Sequence, residues 1–176
     1  MTDFTFSYIV MIIIGKLKQK GVLELTTYQL HFTVPTGFNE INEDIPIPED
    51  ISFWMPLMQY FINKSNMIEI HCWYEEKEVI KEAISLFDYP SNYPNNYQPT
   101  IFRGELTENR IHTLLNYFLT ENKEIKWFSI FLKKDAKTTF HSEHWGTEFF
   151  APNVSEDDIA FIKSMLPKDT DFNQYV

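Results

Sequence analysis

The densest group of reactive side chains in the chain lies in the segment HSEHWGTE, which begins at His141 and ends at Glu148. Imidazole nitrogens and carboxylate oxygens are common ligands of zinc and other divalent metals. The candidate ligands are His141, Glu143, His144 and Glu148. They could serve a metal-binding protein or an enzyme. The alternative is a solvated hairpin end around a packed Trp145, which we favour because a metal site needs converging ligands and supporting contacts.

The residues around this segment indicate a hairpin rather than a helix, since strand-forming residues flank it and Gly146 interrupts it. In a strand, His141 and Glu143 would share one face, and His144 would reach them only through a turn. The sequence contains no His-Glu-x-x-His motif that would strengthen the case for a metal site.

Cys72 is the only cysteine, and with His71 beside it the thiol is a candidate nucleophile. Strand alternation, however, would place Cys72 and His71 on opposite faces. Cys72 would then share its face with Ile68, Ile70 and Tyr74, so we expect an inert, buried thiol. A single cysteine cannot form an intrachain disulfide, and the composition therefore favours a cytoplasmic protein.

Motifs of several large enzyme classes are absent from the sequence. It contains only five glycines, with no GxGxxG, no Walker sequence and no Gly-x-Ser-x-Gly elbow. Four glutamates are possible acids or bases on a helix, but we expect them on its solvated surface: Glu75, Glu76, Glu78 and Glu82. We therefore expect a non-catalytic protein without a cofactor.

The net charge of −10 restricts the class of partner. Phosphate backbones and anionic membranes attract clustered lysine and arginine, so neither nucleic acid nor a membrane is an expected partner. A basic protein is compatible with this charge, although solubility alone also explains it.

Two stretches have a composition suited to recognition, since acidic loops steer a basic partner and tyrosine offers contact area at low entropic cost. The candidate binding residues are Glu40, Glu43, Asp44, Glu49, Asp50 and Trp54 in the first stretch, and Tyr89, Tyr93 and Tyr97 in the second. The alternative is that these tyrosines pack on the sheet and fasten the connection.

The leading hypothesis is a protein-binding module, such as an acidic immunity or inhibitor-type protein that covers the basic surface of a toxin. One alternative is a metal-binding protein or enzyme that uses the segment from His141 to Glu148. Another is a homo-oligomeric structural protein whose aromatic loop is the subunit interface. The oligomeric state stays open.

Periodicity predicts the elements that must position these residues. Helices are expected near 52–64, 75–87, 106–121 and 155–166. Strands are expected over 4–14, 22–34, 67–74 and 125–134, with a hairpin of 138–142 and 147–151. The prediction is therefore a single compact α+β domain over 1–176, with a mainly antiparallel sheet and about four helices on one face.

The two halves of the chain have similar patterns and suggest an internal duplication of a helix–strand–helix unit. Sub-lobes 1–87 and 100–167 would be joined by the irregular segment 88–99, and 168–176 would form a frayed tail. The strand face of Ile68, Ile70, Cys72 and Tyr74 would correspond to Ile125, Trp127, Ser129 and Phe131. The alternative is that helix–turn–strand units resemble each other by composition.

Overall fold

In the described part of the chain, alternating apolar residues build one antiparallel seven-stranded sheet, and four helices pack against it. The structure is a computed structural model that describes residues 26–38, 45–92 and 98–176. The strands are β1 (Tyr28–Thr33), β2 (Thr36–Phe38), β3 (Pro46–Pro48), β4 (Met67–Cys72), β5 (Thr100–Glu105), β6 (Ser129–Lys134), β7 (Lys137–Glu143), β8 (Glu148–Val154) and β9 (Asp171–Tyr175). The helices are α1 (Trp54–Ile62), α2 (Lys77–Phe87), α3 (Glu108–Asn116) and α4 (Glu156–Met165).

The main sheet has seven strands in the order β5-β4-β6-β7-β8-β1-β9, and each neighbouring pair is antiparallel. Strands β2 and β3 form a separate two-stranded sheet. The predicted α+β class, with an antiparallel sheet and four helices, is confirmed. Within the described ranges, none of the helices is long and apolar enough to cross a bilayer.

The core lies between the helices and the inner face of the sheet. The inner strand residues are Leu30, Phe32, Ile68, Ile70, Cys72, Phe102, Ile130, Leu132, Phe140, Phe149 and Ala151. The helices add Trp54, Leu57, Met58, Phe61, Ile62, Val79, Ala83, Phe87, Leu114, Ile159 and Ile162. The inert thiol expected at Cys72 fits this environment, because burial raises the pKa of Cys72.

The end of the chain was expected to fray, and this prediction is wrong. Asp171–Tyr175 pairs along β1 as the edge strand β9. Phe172 provides the reason, since its ring stacks on Phe32 with 5.5 Å between the centroids. The expected strand over 4–14 lies outside the described residues.

The predicted face of the strand near 125–134 is also wrong. Strand β6 begins only at Ser129, where Ile130 and Leu132 face the core and Phe131 lies on the outer face. Trp127 has a left-handed φ of 63°, which interrupts the extended backbone before the strand. Strands β4 and β6 are neighbours in the sheet, but the duplication itself stays a prediction.

Glu69 on β4 binds the outer face of the sheet together across three strands. It is only 6 % exposed, and its carboxylate accepts from Arg103 of β5 and Lys133 of β6 at 2.6 Å each. The His71 imidazole is a third partner at 2.8 Å. Burial alone would raise the pKa of Glu69, but these hydrogen bonds outweigh it and lower the pKa to about 2.

Replacing Glu69 by Gln is expected to lower the free energy of unfolding at neutral pH by about 2 to 3 kcal/mol, because two cations lose their counter-charge. A carboxylate with a lowered pKa stabilises the fold above its unfolded value of 4.5, and the contribution is lost as the pH falls towards 2. As the pH falls from 4.5 towards 2, the Glu69→Gln variant should therefore lose less stability than the unmodified protein. Chemical denaturation at several pH values measures both effects, and the exposed Asp169→Asn variant is the control. Equal losses in the two variants would contradict the role of Glu69.

Candidate functional site

The hairpin between β7 and β8 ends in a turn with three consecutive left-handed residues. His144, Trp145 and Gly146 have φ of 48°, 54° and 76°. Such angles are uncommon for residues with a Cβ atom, and the surroundings must hold them in place. The backbone N–H groups of Gly146 and Thr147 both donate to the carbonyl of Glu143, at 3.1 and 3.2 Å, and close the turn.

The space at position 146 accommodates glycine but no residue with a Cβ atom. A Cβ atom there would lie 2.6 Å from Ile125 Cδ1 and 3.0 Å from Trp54 Cζ3. Both neighbours are buried core residues. The turn is therefore pressed against the core, and its position determines where the side chains of His144 and Trp145 point.

Three potential ligands converge at this turn, as the sequence suggested. Single ligand atoms of Glu143, His144 and Glu148 lie within 4.8 Å of one another. Glu143 and Glu148 are directly opposed in the register of β7 and β8. His144 Nδ1 lies 2.8 Å from Glu148 Oε2, where the imidazole N–H donates to the carboxylate.

His141 and a histidine from another strand extend this group, which we call the hairpin cluster. His141 Nδ1 lies 3.1 Å from Glu143 Oε1, in ion-pair range but outside hydrogen-bond geometry. His31 of β1 donates through Nε2 to Glu148 Oε1 at 2.7 Å. The cluster therefore contains three imidazoles and two carboxylates.

His31 and His141 belong to a longer row of neighbouring rings that crosses five strands, in which every pair except the tilted His71–Phe131 pair is stacked. His71, Phe131, His141, Phe150 and His31 follow one another, with ring centroids 4.9, 5.0, 4.4 and 4.5 Å apart. A groove of about 410 Å³ runs along the part of this row from Phe131 to His31. The stacking fixes the orientation of each imidazole before any ligand arrives.

The protonation of the cluster favours ligand binding. Burial lowers the pKa of His141, which keeps its imidazole neutral and its nitrogen lone pair available. Burial alone would raise the pKa of Glu148, but hydrogen bonds from His31 and His144 lower it and keep the carboxylate ionised. Neutral imidazole and ionised carboxylate are the forms that bind metals.

The residues expected to bind a partner are scattered. Trp54 is fully buried and donates its indole N–H to the Leu114 carbonyl at 3.2 Å, so this ring is not available to a partner. Glu49 and Asp50 are exposed, and Tyr89 is 81 % exposed. Glu40, Glu43, Asp44, Tyr93 and Tyr97 lie outside the described residues.

Two further residues take part in or near the site without a signal in their local sequence. Glu76 was expected on a solvated helix surface, yet it lies just before α2 and its carboxylate accepts from the indole of Trp145 at 3.0 Å. His31 belongs to the polar face of its strand, but its link to Glu148 depends on the pairing of β1 with β8. Two polar-face residues on strands far apart in sequence carry no local signal of contact.

Comparison of the chain with models of protein families, with curated proteins and with solved structures found no match. The function must therefore be inferred from the geometry of the chain itself.

Replacing Gly146 by Ala is expected to destabilise the protein by about 2 to 4 kcal/mol, because a Cβ atom adds backbone strain and a clash with the core. The matched control is Gly37→Ala, since a Cβ atom at Gly37 would meet nothing within 4 Å. That variant should change the free energy of unfolding by less than about 0.5 kcal/mol. Thermal and urea denaturation of both proteins measure the difference. Equal stability of the two would contradict the constraint at Gly146.

Proposed function

We propose that the chain is a metal-binding protein that holds a divalent transition-metal ion at the hairpin cluster. The ligands in this proposal are Glu143, His144 and Glu148, with His31 and His141 as neighbours that orient or complete the set.

The observation that carries the proposal is the direct opposition of Glu143 and Glu148 in the sheet. Like charges opposite each other in neighbouring strands destabilise a sheet. Among the described residues, the ion-pair partners of Glu148 are imidazoles rather than lysine or arginine, with His31 and His144 both within 2.8 Å of it. A divalent cation would remove the repulsion and use both kinds of donor atom.

The mixture of donor atoms narrows the class of ion. Imidazole nitrogen suits zinc, iron, nickel and copper, while magnesium and calcium prefer oxygen ligands alone. No thiolate is available to select a softer ion, since Cys72 is buried in the core. Zn²⁺ is therefore the appropriate first probe.

Zn²⁺ is expected to bind with one ion per chain to protein purified without an affinity tag, and to raise its melting temperature. Glu148→Gln and His144→Ala should each weaken the affinity by about tenfold or more, since each removes a ligand. His112→Ala is the matched control, because His112 is an exposed histidine on α3 far from the hairpin in sequence. Titration calorimetry with elemental analysis measures stoichiometry and affinity. Absence of stoichiometric binding, or unchanged affinity in Glu148→Gln, would overturn the proposal.

The affinity for Zn²⁺ should also decrease with falling pH. The N–H hydrogens that His31 and His144 donate to Glu148 occupy the space between nitrogen and oxygen. A neutral imidazole can carry its proton on the other nitrogen and leave this one to the ion, whereas an imidazolium must first lose a proton, so a higher proton concentration opposes binding. Proton release on addition of Zn²⁺, measured in buffers of different ionisation enthalpy, tests this step.

A second proposal is that the chain is an intracellular protein that binds a basic protein. It is supported by the net charge and by Tyr89, a large aromatic side chain that is 81 % exposed beside the exposed Asp88. Exposed aromatic groups with acidic neighbours are suited to anchoring a cationic surface. Inhibition of a toxin is one form of this function.

In the second proposal, a captured partner should bind the purified chain with an affinity that falls steeply as salt rises. Tyr89→Ala should weaken this binding, whereas Tyr117→Ala, at a tyrosine 58 % exposed on another element, should not. Affinity measurements at low and high salt provide the test. Binding that does not depend on salt, or on Tyr89, would count against this function.

A further inference from the structure

Trp145 points away from the hairpin cluster into a cleft of about 490 Å³, a volume typical of small-molecule sites. We call this space the tryptophan cleft. Its lining residues are Ile45, Trp73, Glu75, Glu76, Lys77, Glu78, Val79, Thr120, Glu124, Ile125 and Trp145. In the part of the chain that the structure describes, aromatic and acidic groups dominate its walls, and Lys77 contributes a cation.

The aromatic wall is rigid because its rings pack on one another. Phe128 lies between the two tryptophans, with its ring centroid 5.2 Å from that of Trp73 and 5.1 Å from that of Trp145. The backbone N–H of Trp145 also donates to the Phe128 carbonyl at 3.2 Å. Both indoles are half-buried, so each keeps a surface that faces the cleft.

Glu76 supplies a negative charge beside this wall. Its carboxylate accepts from the Trp145 indole N–H at 3.0 Å and from the backbone N–H of Trp73. Burial raises the pKa of Glu76, and these hydrogen bonds only partly oppose the rise. Neutral N–H donors orient the carboxylate without balancing its charge, which leaves it suited to a cation.

Glu124 supplies a second carboxylate and is 9 % exposed. Its backbone N–H donates to Thr120 Oγ1 at 3.2 Å, and Thr120 N–H donates to the Glu124 carbonyl at 2.8 Å. These two hydrogen bonds fix the backbone of Glu124 in the connection that precedes β6. Glu76 and Glu124 both line the cleft, and the charge on Glu124 adds to the effect of burial in raising the pKa of Glu76.

The composition of the walls indicates the kind of cation. Within the described ranges, three metal-ligand atoms converge at Glu143, His144 and Glu148, and no such group lies in the tryptophan cleft. Carboxylates beside flat indole walls suit an organic cation, whose charge interacts with both π faces and acids. Val79 and Ile125 offer apolar contact for an attached alkyl chain.

We propose that the tryptophan cleft binds a protonated alkylamine, with the ammonium group near Glu76 and Glu124 and the alkyl chain against Trp73 and Trp145. This site goes beyond the metal proposal and does not depend on it. The same ammonium chemistry has two sources, a free amine or a lysine side chain presented by a peptide.

The test uses the full chain and three probes, which are pentylamine, its neutral counterpart 1-pentanol, and lysine capped at both ends. Titration calorimetry and tryptophan fluorescence report binding. Pentylamine should bind at least about tenfold more tightly than 1-pentanol, because only the amine is charged. Tighter binding of capped lysine than of pentylamine would identify a peptide side chain as the source, and the reverse order would identify a free amine.

Two variants assign the binding to the tryptophan cleft. Glu124→Gln and Trp73→Phe should each weaken pentylamine binding by about fivefold or more, since one removes a charge and the other reduces the π surface. Glu121→Gln is the matched control, as an exposed glutamate in the same connection. Circular dichroism melts show whether each variant is folded. Binding of 1-pentanol as tight as that of the amine, or unchanged amine affinity in folded Glu124→Gln, would overturn the proposal.

Discussion

The absence of a side chain at Gly146 is the constraint on which both candidate sites depend. The backbone of the turn reaches the core, where a Cβ atom would lie 2.6 Å from Ile125 Cδ1. This close approach fixes the direction in which β7 enters the turn and β8 leaves it. These two strands lie in the middle of the seven-stranded sheet.

The left-handed backbone of the two residues before Gly146 is strained, and surrounding hydrogen bonds hold it in this conformation. Two non-glycine residues in this region store on the order of 1 kcal/mol or more each. Thr147 Oγ1 donates to the His144 carbonyl at 2.9 Å, and the N–H of Val34 donates to the Thr147 carbonyl at 3.0 Å. The turn is thus tied to β1, which also carries His31. Strain at this turn directs neighbouring side chains into two separate spaces, towards Glu148 and towards Glu76.

Local patterns were sufficient for most elements, because helix stripes and helix caps are properties of a few consecutive residues. At the start of α4, for example, a capping box forms in which the Asp158 carboxylate accepts from the Ser155 N–H at 3.0 Å. The sequence did not indicate which residues of the strand after Trp127 face the core. The left-handed φ of Trp127 shifts the inward–outward alternation, and no glycine marks the position. The tail has no strong apolar pattern and therefore gave no sign of β9. This strand forms because the edge of β1 is available for pairing.

The candidate site was predictable only in part, and the limit has a physical origin. His141, Glu143, His144 and Glu148 are close in sequence, so a hairpin brings them together. His31 joins them because β1 inserts next to β8, a pairing between residues more than a hundred positions apart, such as His31 with Phe150. Glu76 reaches Trp145 across a separation of 69 positions. Contacts of this kind follow from strand order, which periodicity does not determine.

The buried and half-buried carboxylates differ in how their charges are balanced. This difference separates a structural carboxylate from those that are suited to bind a ligand. Glu69 faces Arg103 and Lys133, so its charge is neutralised within the sheet and its role is structural. Among the described residues, Glu148 is paired with two imidazoles, at 2.7 and 2.8 Å, and with no lysine or arginine. Glu76 accepts from the neutral N–H groups of Trp145 and Trp73. A carboxylate that is less balanced by fixed cations gains more from a cation supplied by a ligand. The hairpin cluster and the tryptophan cleft are therefore better suited to bind a cation than the Glu69 network.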